Sequence, residues 1–470
     1  MNVQFATNSY QLKAPQASTQ RTVNFYAEKE PDDVKSPIVV YGVFGLTQLI
    51  PVGDGPIRGL HAMNNVLYVV SADELWSVNT LGDAKLLGTG IAGGAFVSMA
   101  DNGTQVCIVN GMNGFIYNAT TMVFQVINDP NFFPANTVPF MDGFFLFDRA
   151  GTNQVFFSQL FDGTTFNALD FFSAEVDSDF VLGTVNQQEN LLIIGQRTIE
   201  TWFDSGNNND PFQRFNGTTI ERGAACPLST IKEDNSVFFL GNDRIFYRLD
   251  LPLPKRISTS AIEQQWQNYQ TVADCFVFKA TFEGHKFLFV TFPSANATWV
   301  YDIESNLWHE RISFSTNAAS LGRWRGNCSE VFNNSTVIGD AFGNQIGIPS
   351  SNVYTEYGAQ ILGMLISPPI QSDRKRVFLW SFELDCQTGV GLPSGQGSNP
   401  QVFLETSKDG GITYGPLQKW KSLGKAGEYL TRLRWTRFGQ ARQWVLRLTV
   451  SDPVRRTIIA AHAEIQKADI

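Results

Sequence analysis

The chain has 470 residues, of which 43% are hydrophobic and only 17% are charged, and it contains 38 Phe. This balance disfavours an intrinsically disordered chain, which has low hydrophobicity, and a helical bundle rich in charged residues. The length allows one large β-domain and a smaller one, each with its own interior.

The net charge is divided unevenly along the chain. The whole chain carries −9 at pH 7, whereas residues 405–470 hold 12 Lys+Arg against 6 Asp+Glu, a net of +6, so that residues 1–404 carry −15. An acidic body with a basic end is typical of subunits that meet a complementary neighbour. Solubility alone also accounts for the acidic part.

The cysteines and the N-terminus indicate a protein made and assembled in the cytoplasm. No two cysteines form a C-x-x-C pair, so we expect buried reduced thiols rather than a disulfide framework or a thiolate zinc site. The first residues lack the pattern of a signal peptide, and no apolar run reaches the length of a membrane span. The cysteines are Cys107, Cys226, Cys275, Cys328 and Cys386.

Residues 1–56 are interpreted as an N-terminal arm with a tie strand. Residues 1–30 show no helical period, and a short apolar strand follows Pro31 at residues 38–41. We expect this strand to tie the N-terminus to the fold rather than to form a binding arm.

A repeat predicts a β-propeller over residues 57–355. Each copy has turn residues, a short apolar strand, a second turn and a strand with an aromatic residue near its end. Successive aromatic residues are 41, 40, 45, 45 and 54 positions apart, close to the blade period of roughly 40 to 50 residues. These residues are Trp76, Tyr117, Phe157, Trp202, Tyr247 and Tyr301.

A seventh copy is fainter because it lacks the aromatic residue. Residues 337–340 and 345–346 repeat the order strand, turn, strand. This segment either forms a seventh blade or helps to complete the first, so we expect six or seven blades and favour seven. The one helix that we expect covers residues 260–268, after a cap at residues 258–260.

The period stops after residue 355, and residues 356–470 are predicted to form a β-sandwich. A loop rich in Gly and Pro separates its first two strands. The strands are expected at residues 377–384, 401–406, 412–420, 429–436, 443–450 and 457–465.

One motif in this module predicts a hairpin that its own side chains hold together. Residues 407–414 fit the Asp-box pattern S-x-D-x-G-x-T-[WY], in which the carboxylate accepts hydrogen bonds from turn N–H groups. Such hairpins occur in glycosidases and in many β-proteins without catalysis, so the motif indicates a structural turn and not an enzyme. Its residues are Ser407, Asp409, Gly411, Thr413 and Tyr414.

Three arginines alternate with apolar residues in the strands that follow. Arg432 and Arg434 lie in the predicted strand 429–436, and Arg447 lies in the next one. If the two strands are neighbours, the three guanidinium groups share one outer face. That face is either simply solvated or a subunit interface that meets carboxylates of an acidic neighbour.

The C-terminal module carries a family resemblance. Gly389-Val390-Gly391, Leu423-Gly424 and the run from Arg437 to Arg442, with Ser451-Asp452-Pro453-Val454, resemble the closing module of the packaged-DNA stabilisation proteins of tailed phages. These are the tail hub, or nozzle, proteins of short-tailed bacteriophages. Residues 23–28 and Gly45-Leu46 fit the same pattern near the start of the chain.

The resemblance implies a structural virion protein of the phage tail. It implies a homo-oligomeric ring, a hexamer, below the portal and its adaptor (the head-to-tail connector protein). The ring would retain packaged DNA, which passes through its channel without sequence-specific binding, and would form the exit channel for genome ejection. A tailspike or tail fibre, and a tail needle or plug, are the other implied partners.

No pattern of catalytic, cofactor-binding or metal-binding residues is present in the sequence. His61, His285, His309 and His462 are far apart and unpaired, and neither a phosphate-binding loop nor a dinucleotide fingerprint occurs. We therefore expect no enzyme and no cofactor, although two carboxylates from different blades can still meet in the fold.

Two other functions compete with a structural role. A carbohydrate-binding or glycoside-cleaving β-propeller fits the Asp box and the aromatic residues, but the motif occurs once and outside the repeat, and aromatic residues in strands mostly form core. A DNA-binding protein fits the basic end, but 12 cations in 66 residues are few for that role and the sequence pI is about 5.1.

Overall fold

The computed structural model describes residues 1–5, 8–14, 17–31, 36–177, 179–207, 211–315, 320–372, 375–415 and 419–467. These residues form β-strands and one short helix, so the all-β prediction is confirmed. Five strands precede the first predicted blade: β1 Tyr10–Gln11, β2 Thr19–Val23, β3 Phe25–Lys29, β4 Ile38–Gly42 and β5 Gly45–Pro51.

Six four-stranded antiparallel blades follow in chain order. Blade 1 contains β6 Ile57–Met63, β7 Val66–Ser71, β8 Glu74–Val78 and β9 Ala84–Thr89. Blade 2 contains β10 Ser98–Asp101, β11 Gln105–Val109, β12 Gly114–Asn118 and β13 Val123–Val126. Blade 3 contains β14 Phe140–Met141, β15 Phe144–Asp148, β16 Gln154–Phe157 and β17 Phe171–Ser173.

The second half of the propeller includes the helix. Blade 4 contains β18 Val181–Gln187, β19 Asn190–Gly195, β20 Ile199–Asp204 and β21 Phe212–Arg214. Blade 5 contains β22 Thr230–Glu233, β23 Ser236–Leu240, β24 Phe246–Asp250 and β25 Leu253–Arg256, and helix α1 Ser260–Gln267 follows it. Blade 6 contains β26 Phe276–Phe282, β27 His285–Phe292, β28 Ala297–Asp302 and β29 Leu307–Glu310.

The seventh blade is closed by the N-terminal segment. After the hairpin of β30 Ile312–Ser315 and β31 Ser320–Arg323, the chain forms β32 Gly326–Phe332, β33 Ser335–Asp340 and β34 Gln345–Ser350. Strand β5 adds to β34 in antiparallel register as the fourth strand of this blade. Strand β32 packs against β6 of blade 1, so the ring of seven blades is closed. The predicted division at residue 57 therefore separates β5 from the blade that it completes.

The aromatic residues of the repeat occupy equivalent places. Each of the six lies on the third strand of its blade, opposite a buried apolar residue of the second strand, as Trp76 lies opposite Val69. Turns such as Asn64-Asn65 and Asp234-Asn235 have positive φ at both residues, the backbone that two-residue hairpins need. The repeat was visible in the sequence because both features recur at blade spacing.

The C-terminal module is a sandwich of two sheets over one core. Sheet A has the order β3-β4-β44-β39-β42, and sheet B contains β37, β43, β40 and β41 in that order. Residues from both sheets, among them Leu433, Trp435, Leu446 and Leu448, form the shared core. Strands β35 Thr355–Glu356 and β36 Ala359–Gln360 extend the sheet of the seventh blade beyond β5. The sandwich strands that follow are β37 Gly363–Ile366, β38 Ile370–Gln371, β39 Val377–Cys386, β40 Gln401–Ser407, β41 Lys419–Ser422, β42 Leu433–Ala441, β43 Gln443–Val450 and β44 Thr457–Lys467.

Two of the predicted strands are displaced. Within the range 412–420 the structure describes a strand from Lys419 onward, and residues 412–415 belong to the Asp-box loop. The strand expected at 429–436 begins at Leu433, because Gly427, at a φ of 87°, places Tyr429 and Leu430 in an exposed turn. The alternation of apolar residues that predicted a strand from residue 429 therefore starts before the strand itself.

Candidate assembly surfaces and the domain junction

Strand β2 hydrogen-bonds to both domains and makes one continuous sheet of them. It lies parallel to β29 of blade 6 at Val23 and Glu310, and antiparallel to β37 of the sandwich, where Arg21 lies opposite Ile366. Blade 6 therefore continues through β2 into sheet B. The N-terminal arm is a structural part of the junction, and its position fixes the sandwich to the propeller.

An ion pair reinforces this junction. Arg21 donates from Nε to Glu310 Oε1 at 2.9 Å and from Nη2 to Glu310 Oε2 at 2.5 Å. The Glu310 carboxylate raises the pKa of Arg21 further above its ordinary value. Because the two hydrogen bonds of a bidentate pair are parallel, they fix the orientation of β2 relative to β29 as well as stabilising the contact.

A second charged group is buried beside the closing strand. The Arg311 guanidinium lies between the rings of Phe44 and Trp324, at 4.1 and 4.3 Å from their centroids, and donates to the Phe44 carbonyl. Glu356 accepts a hydrogen bond of 2.7 Å from Trp324 Nε1 and lies 3.6 Å from Arg311 Nη2. Burial lowers the pKa of Arg311 to about 10, so the group stays charged at neutral pH.

The Asp-box residues form a loop between β40 and β41. Asp409 accepts hydrogen bonds from the backbone N–H groups of Ile412 and Thr413 and from the Thr413 hydroxyl, while Ser407 Oγ donates to it at 2.6 Å. These donors, with Ser407 the largest cause, hold the pKa of Asp409 well below its usual range. Gly410 and Gly411, at φ of 80° and 85°, supply the left-handed backbone of this turn.

The loop also braces the junction strand. A side chain at Gly411 would come within 2.6 Å of Thr19 Cγ2 on β2, so the loop lies directly against that strand. The Tyr414 ring lies 3.9 Å from the Arg447 guanidinium carbon, in a cation–π contact. The motif therefore stabilises the meeting point of sheet B and the N-terminal arm.

The three arginines do not share one face, which corrects the expectation that their strands are neighbours. Arg432 and Arg434 lie on the outer side of sheet A, whereas Arg447 lies on the outer side of sheet B. The sequence could not show this, because strands that are consecutive in the chain here belong to opposite sheets.

Each arginine has a carboxylate partner in its own chain. Arg432 makes two hydrogen bonds of 2.7 Å to Glu383, and Arg434 lies 3.2 Å from Glu464. Arg447 pairs with the buried Glu405 at 2.6 and 2.7 Å. The Arg432 and Arg434 side chains are 65% and 42% exposed. The Arg447 side chain is 27% exposed, and its contacts stabilise the fold. The carboxylates were missed, although Glu383 and Glu405 also alternate with apolar residues.

The histidines occupy separate places. His285 Nδ1 lies 2.8 Å from Asp302, whose carboxylate also accepts a hydrogen bond from Ser305. A serine nucleophile would have to contact the imidazole, so these three groups are not arranged as a catalytic triad. His61 pairs with Asp101, His309 is buried and His462 is exposed.

Two further findings concern chemistry and membranes. Within the part of the chain that the structure describes, no three His, Cys, Asp or Glu side chains are grouped so that they could hold a metal ion. None of the described helical segments has the length and hydropathy to cross a membrane.

These features define a class of protein: a β-propeller with an appended β-sandwich, in which the conspicuous polar side chains hold strands and domains together. Family models described as "Bacteriophage P22 Gp10, beta-propeller" and "Bacteriophage P22 Gp10, beta-sandwich" match residues 5–354 and 363–466. The chain belongs to this family of phage tail proteins, the packaged-DNA stabilisation or tail hub family, and the resemblance seen in the sequence is confirmed.

More distant comparisons concern the fold alone. Streptogramin B lyase is 12% identical over 71% of this chain and 99% of its own, with a TM-score of 0.41. The N-terminal domain of Nup159 is 8% identical over 69% and 98%, with a TM-score of 0.40. BamB from Moraxella catarrhalis is 9% identical over 69% and 96%, with a TM-score of 0.38. None of the curated proteins matches the chain.

Proposed function

We propose that copies of this chain assemble into a ring, of six subunits, below the portal-adaptor, where the ring retains packaged DNA and forms the exit channel for genome ejection. Membership of the phage tail family carries this proposal. The continuous sheet from blade 6 through β2 to the sandwich supports it, because a ring that contains pressurised DNA needs subunits whose domains do not move apart.

The proposed partners follow from that position. The portal-adaptor protein would contact one side of the ring, and the tail needle or plug would close the other. A tailspike or tail fibre would attach at the periphery. DNA would pass through the channel without sequence-specific contacts, in keeping with the net charge of −9.

Arg432 and Arg434 are proposed as subunit contacts. Their face also exposes Trp380, which stacks on Phe378 at a centroid distance of 5.9 Å. Exposed Trp and Arg side chains in one place are typical of residues that dominate binding interfaces. Arg447 is better assigned to the support of the Asp-box loop, because its partners Glu405 and Tyr414 belong to that region.

Electron microscopy of the purified chain, alone and mixed with the adaptor protein, tests the proposal. Closed rings with a central opening are expected under at least one condition. Separate particles in both samples would contradict ring assembly. Retention is tested separately, since virions built without this protein should lose their DNA to added nuclease faster than complete virions.

We also propose that the chain acts without hydrolytic chemistry. The Asp box, the feature that it shares with glycosidases, is occupied by hydrogen bonds within its own loop. Incubation of the pure protein with host surface polysaccharide should release no reducing ends. Release that a single Asp or Glu substitution abolishes would refute this point and favour the carbohydrate-active alternative.

A further inference from the structure

A cluster of uncompensated carboxylates lies where blades 3 and 4 meet. Asp142 lies in the turn between β14 and β15, Glu189 in the turn between β18 and β19, and Asp204 at the end of β20. None of the three forms an ion pair with another described residue. In blade 4 Asn190 pairs with Phe203, so Glu189 and Asp204 lie next to each other at the same end of the hairpin. Blade 3 meets this end beside Asp142, where Asn186 Nδ2 donates to the Phe140 carbonyl at 3.2 Å and the Phe144 ring lies 5.8 Å from that of Phe212. Burial, followed by the charges of Asp204 and Glu189, raises the pKa of Asp142.

Exposed apolar side chains lie against the same turn. Phe161 donates its backbone N–H to the Gly143 carbonyl at 2.7 Å, and a side chain at Gly143 would come within 2.6 Å of Leu160. Phe161 is 60% exposed, and Leu160 is exposed as well. No Lys or Arg occurs between Arg149 and Arg197. We name Asp142, Leu160, Phe161, Glu189 and Asp204 the blade 3–4 patch.

The opposite charge is found at the free edge of sheet B. Among the described residues, strand β41 pairs with β40 alone, and it carries Lys419, Trp420 and Lys421. Lys408 lies near Lys419, because their amino groups lie over the neighbouring rings of Trp444 and Phe438, at 5.0 and 4.1 Å from the centroids. Burial and the charge of Lys408 lower the pKa of Lys419. These lysines have no ion pair among the described residues, and Trp420 is 51% exposed. We name Lys408, Lys419, Trp420 and Lys421 the β41 edge.

We infer that the β41 edge of one copy docks on the blade 3–4 patch of the next copy. The blade 3–4 patch combines the exposed Leu160 and Phe161 with three carboxylates, and the β41 edge combines the exposed Trp420 with three lysines, so the two sets of charges are opposite. Within either surface the like charges repel one another, and contact between the surfaces relieves both repulsions. Large exposed aromatic side chains supply the apolar area that such a contact buries.

The two surfaces lie on different domains, and this determines the symmetry of the assembly. A contact between different surfaces is head-to-tail, and repetition of a head-to-tail contact generates a ring when the rotation closes. A second copy is therefore favoured over an unrelated basic protein as the occupant. The inference rests on the proposed ring and names the surfaces that form it.

Charge reversal on each surface tests the inference. Variant 1 carries Lys408→Glu and Lys421→Glu, and variant 2 carries Glu189→Lys and Asp204→Lys. Each variant then has two surfaces of the same sign, so its half-assembly concentration should rise about tenfold or more in sedimentation velocity. An equimolar mixture should assemble again, because the surfaces of variant 1 complement those of variant 2.

A matched control and the folding of each variant keep the test decisive. Lys85→Glu with Lys255→Glu makes the same charge change as variant 1 on exposed outer strands of blades 1 and 5, and it should assemble like the parent chain. Circular dichroism checks that the variants are folded. If a reversal unfolds the chain, the neutral change Lys408→Gln with Lys421→Gln replaces it, with a smaller shift in the same direction.

The outcomes separate the inference from the proposed function. Restored assembly in the mixture, with neither variant assembling alone, supports the inference. Rings from both single variants overturn the docking assignment and leave the ring standing. Failure of the mixture, with both variants folded and unassembled, also overturns it. A parent chain that remains monomeric at every concentration overturns self-assembly and the inference together.

Discussion

Arg21 on β2 and Glu310 on β29 are joined by two hydrogen bonds of 2.9 and 2.5 Å, at the place where the N-terminal arm meets the propeller. Arg21→Met removes both bonds and leaves the Glu310 carboxylate with a neutral donor, the Ser9 hydroxyl at 3.1 Å, so we expect the free energy of unfolding to fall by about 1 to 2 kcal/mol. Urea denaturation measures the change. Glu310→Gln and the double variant Arg21→Met with Glu310→Gln complete the cycle, and the double variant should lose less than the sum of the two single losses. A double-variant loss equal to that sum would show that the pair is not coupled.

Asp409 holds the Asp-box loop together, since two backbone N–H groups and two hydroxyl groups point at its carboxylate. Asp409→Ala removes all of these acceptors, and we expect the loop to loosen and the thermal midpoint of the sandwich to fall. Ile412→Ala is the control, because it changes an exposed side chain of the same loop and leaves the backbone donors to Asp409 in place. If Asp409→Ala and this control have the same thermal midpoint, the motif does not stabilise the sandwich.

The sequence predicted this fold to the extent that its signals are local. Paired turn residues and aromatic residues recur at blade spacing, so the propeller could be inferred, and the S-x-D-x-G-x-T-[WY] pattern located the loop. Which strands become neighbours depends on contacts between distant residues, such as Val23 with Glu310 and with Met364. For the same reason the sequence did not reveal that β42 and β43, which carry the arginines, lie in opposite sheets.

His309 makes stability depend on pH below neutrality. It is buried on β29, and desolvation lowers its pKa from the ordinary value of 6.5 to about 3. Between these values the unfolded chain binds a proton that the folded chain does not, so stability falls as pH falls, by about 1.4 kcal/mol per pH unit. In His309→Gln the slope of unfolding free energy against pH between 3 and 6.5 should be smaller by about 1.4 kcal/mol per pH unit, which corresponds to one bound proton. An unchanged slope would contradict a neutral buried imidazole.

His285, in the same blade, should show the opposite dependence. Its hydrogen bond with Asp302 is the largest cause that raises the pKa of His285 above 6.5. Its contribution is complete below pH 6.5 and is lost as pH rises through the raised value. His285→Gln should therefore remove a loss of stability above pH 6.5, measured by the same denaturation series. If stability above pH 6.5 still falls in the variant, the pH dependence there comes from other groups.

The arginines on the two sheets should respond differently to charge reversal. Arg432→Glu with Arg434→Glu changes two exposed side chains, so the monomer should stay folded. If this face contacts an acidic neighbour, assembly should weaken, and the defect should be larger at low salt, where charges are less screened.

Arg447→Glu instead places a second carboxylate beside the buried Glu405, so it should lower the thermal midpoint of the monomer. Circular dichroism with sedimentation velocity at two salt concentrations measures both effects. Normal sedimentation of the double variant at both concentrations would discard Arg432 and Arg434 as subunit contacts, and intact rings that no longer retain DNA would assign them to the channel.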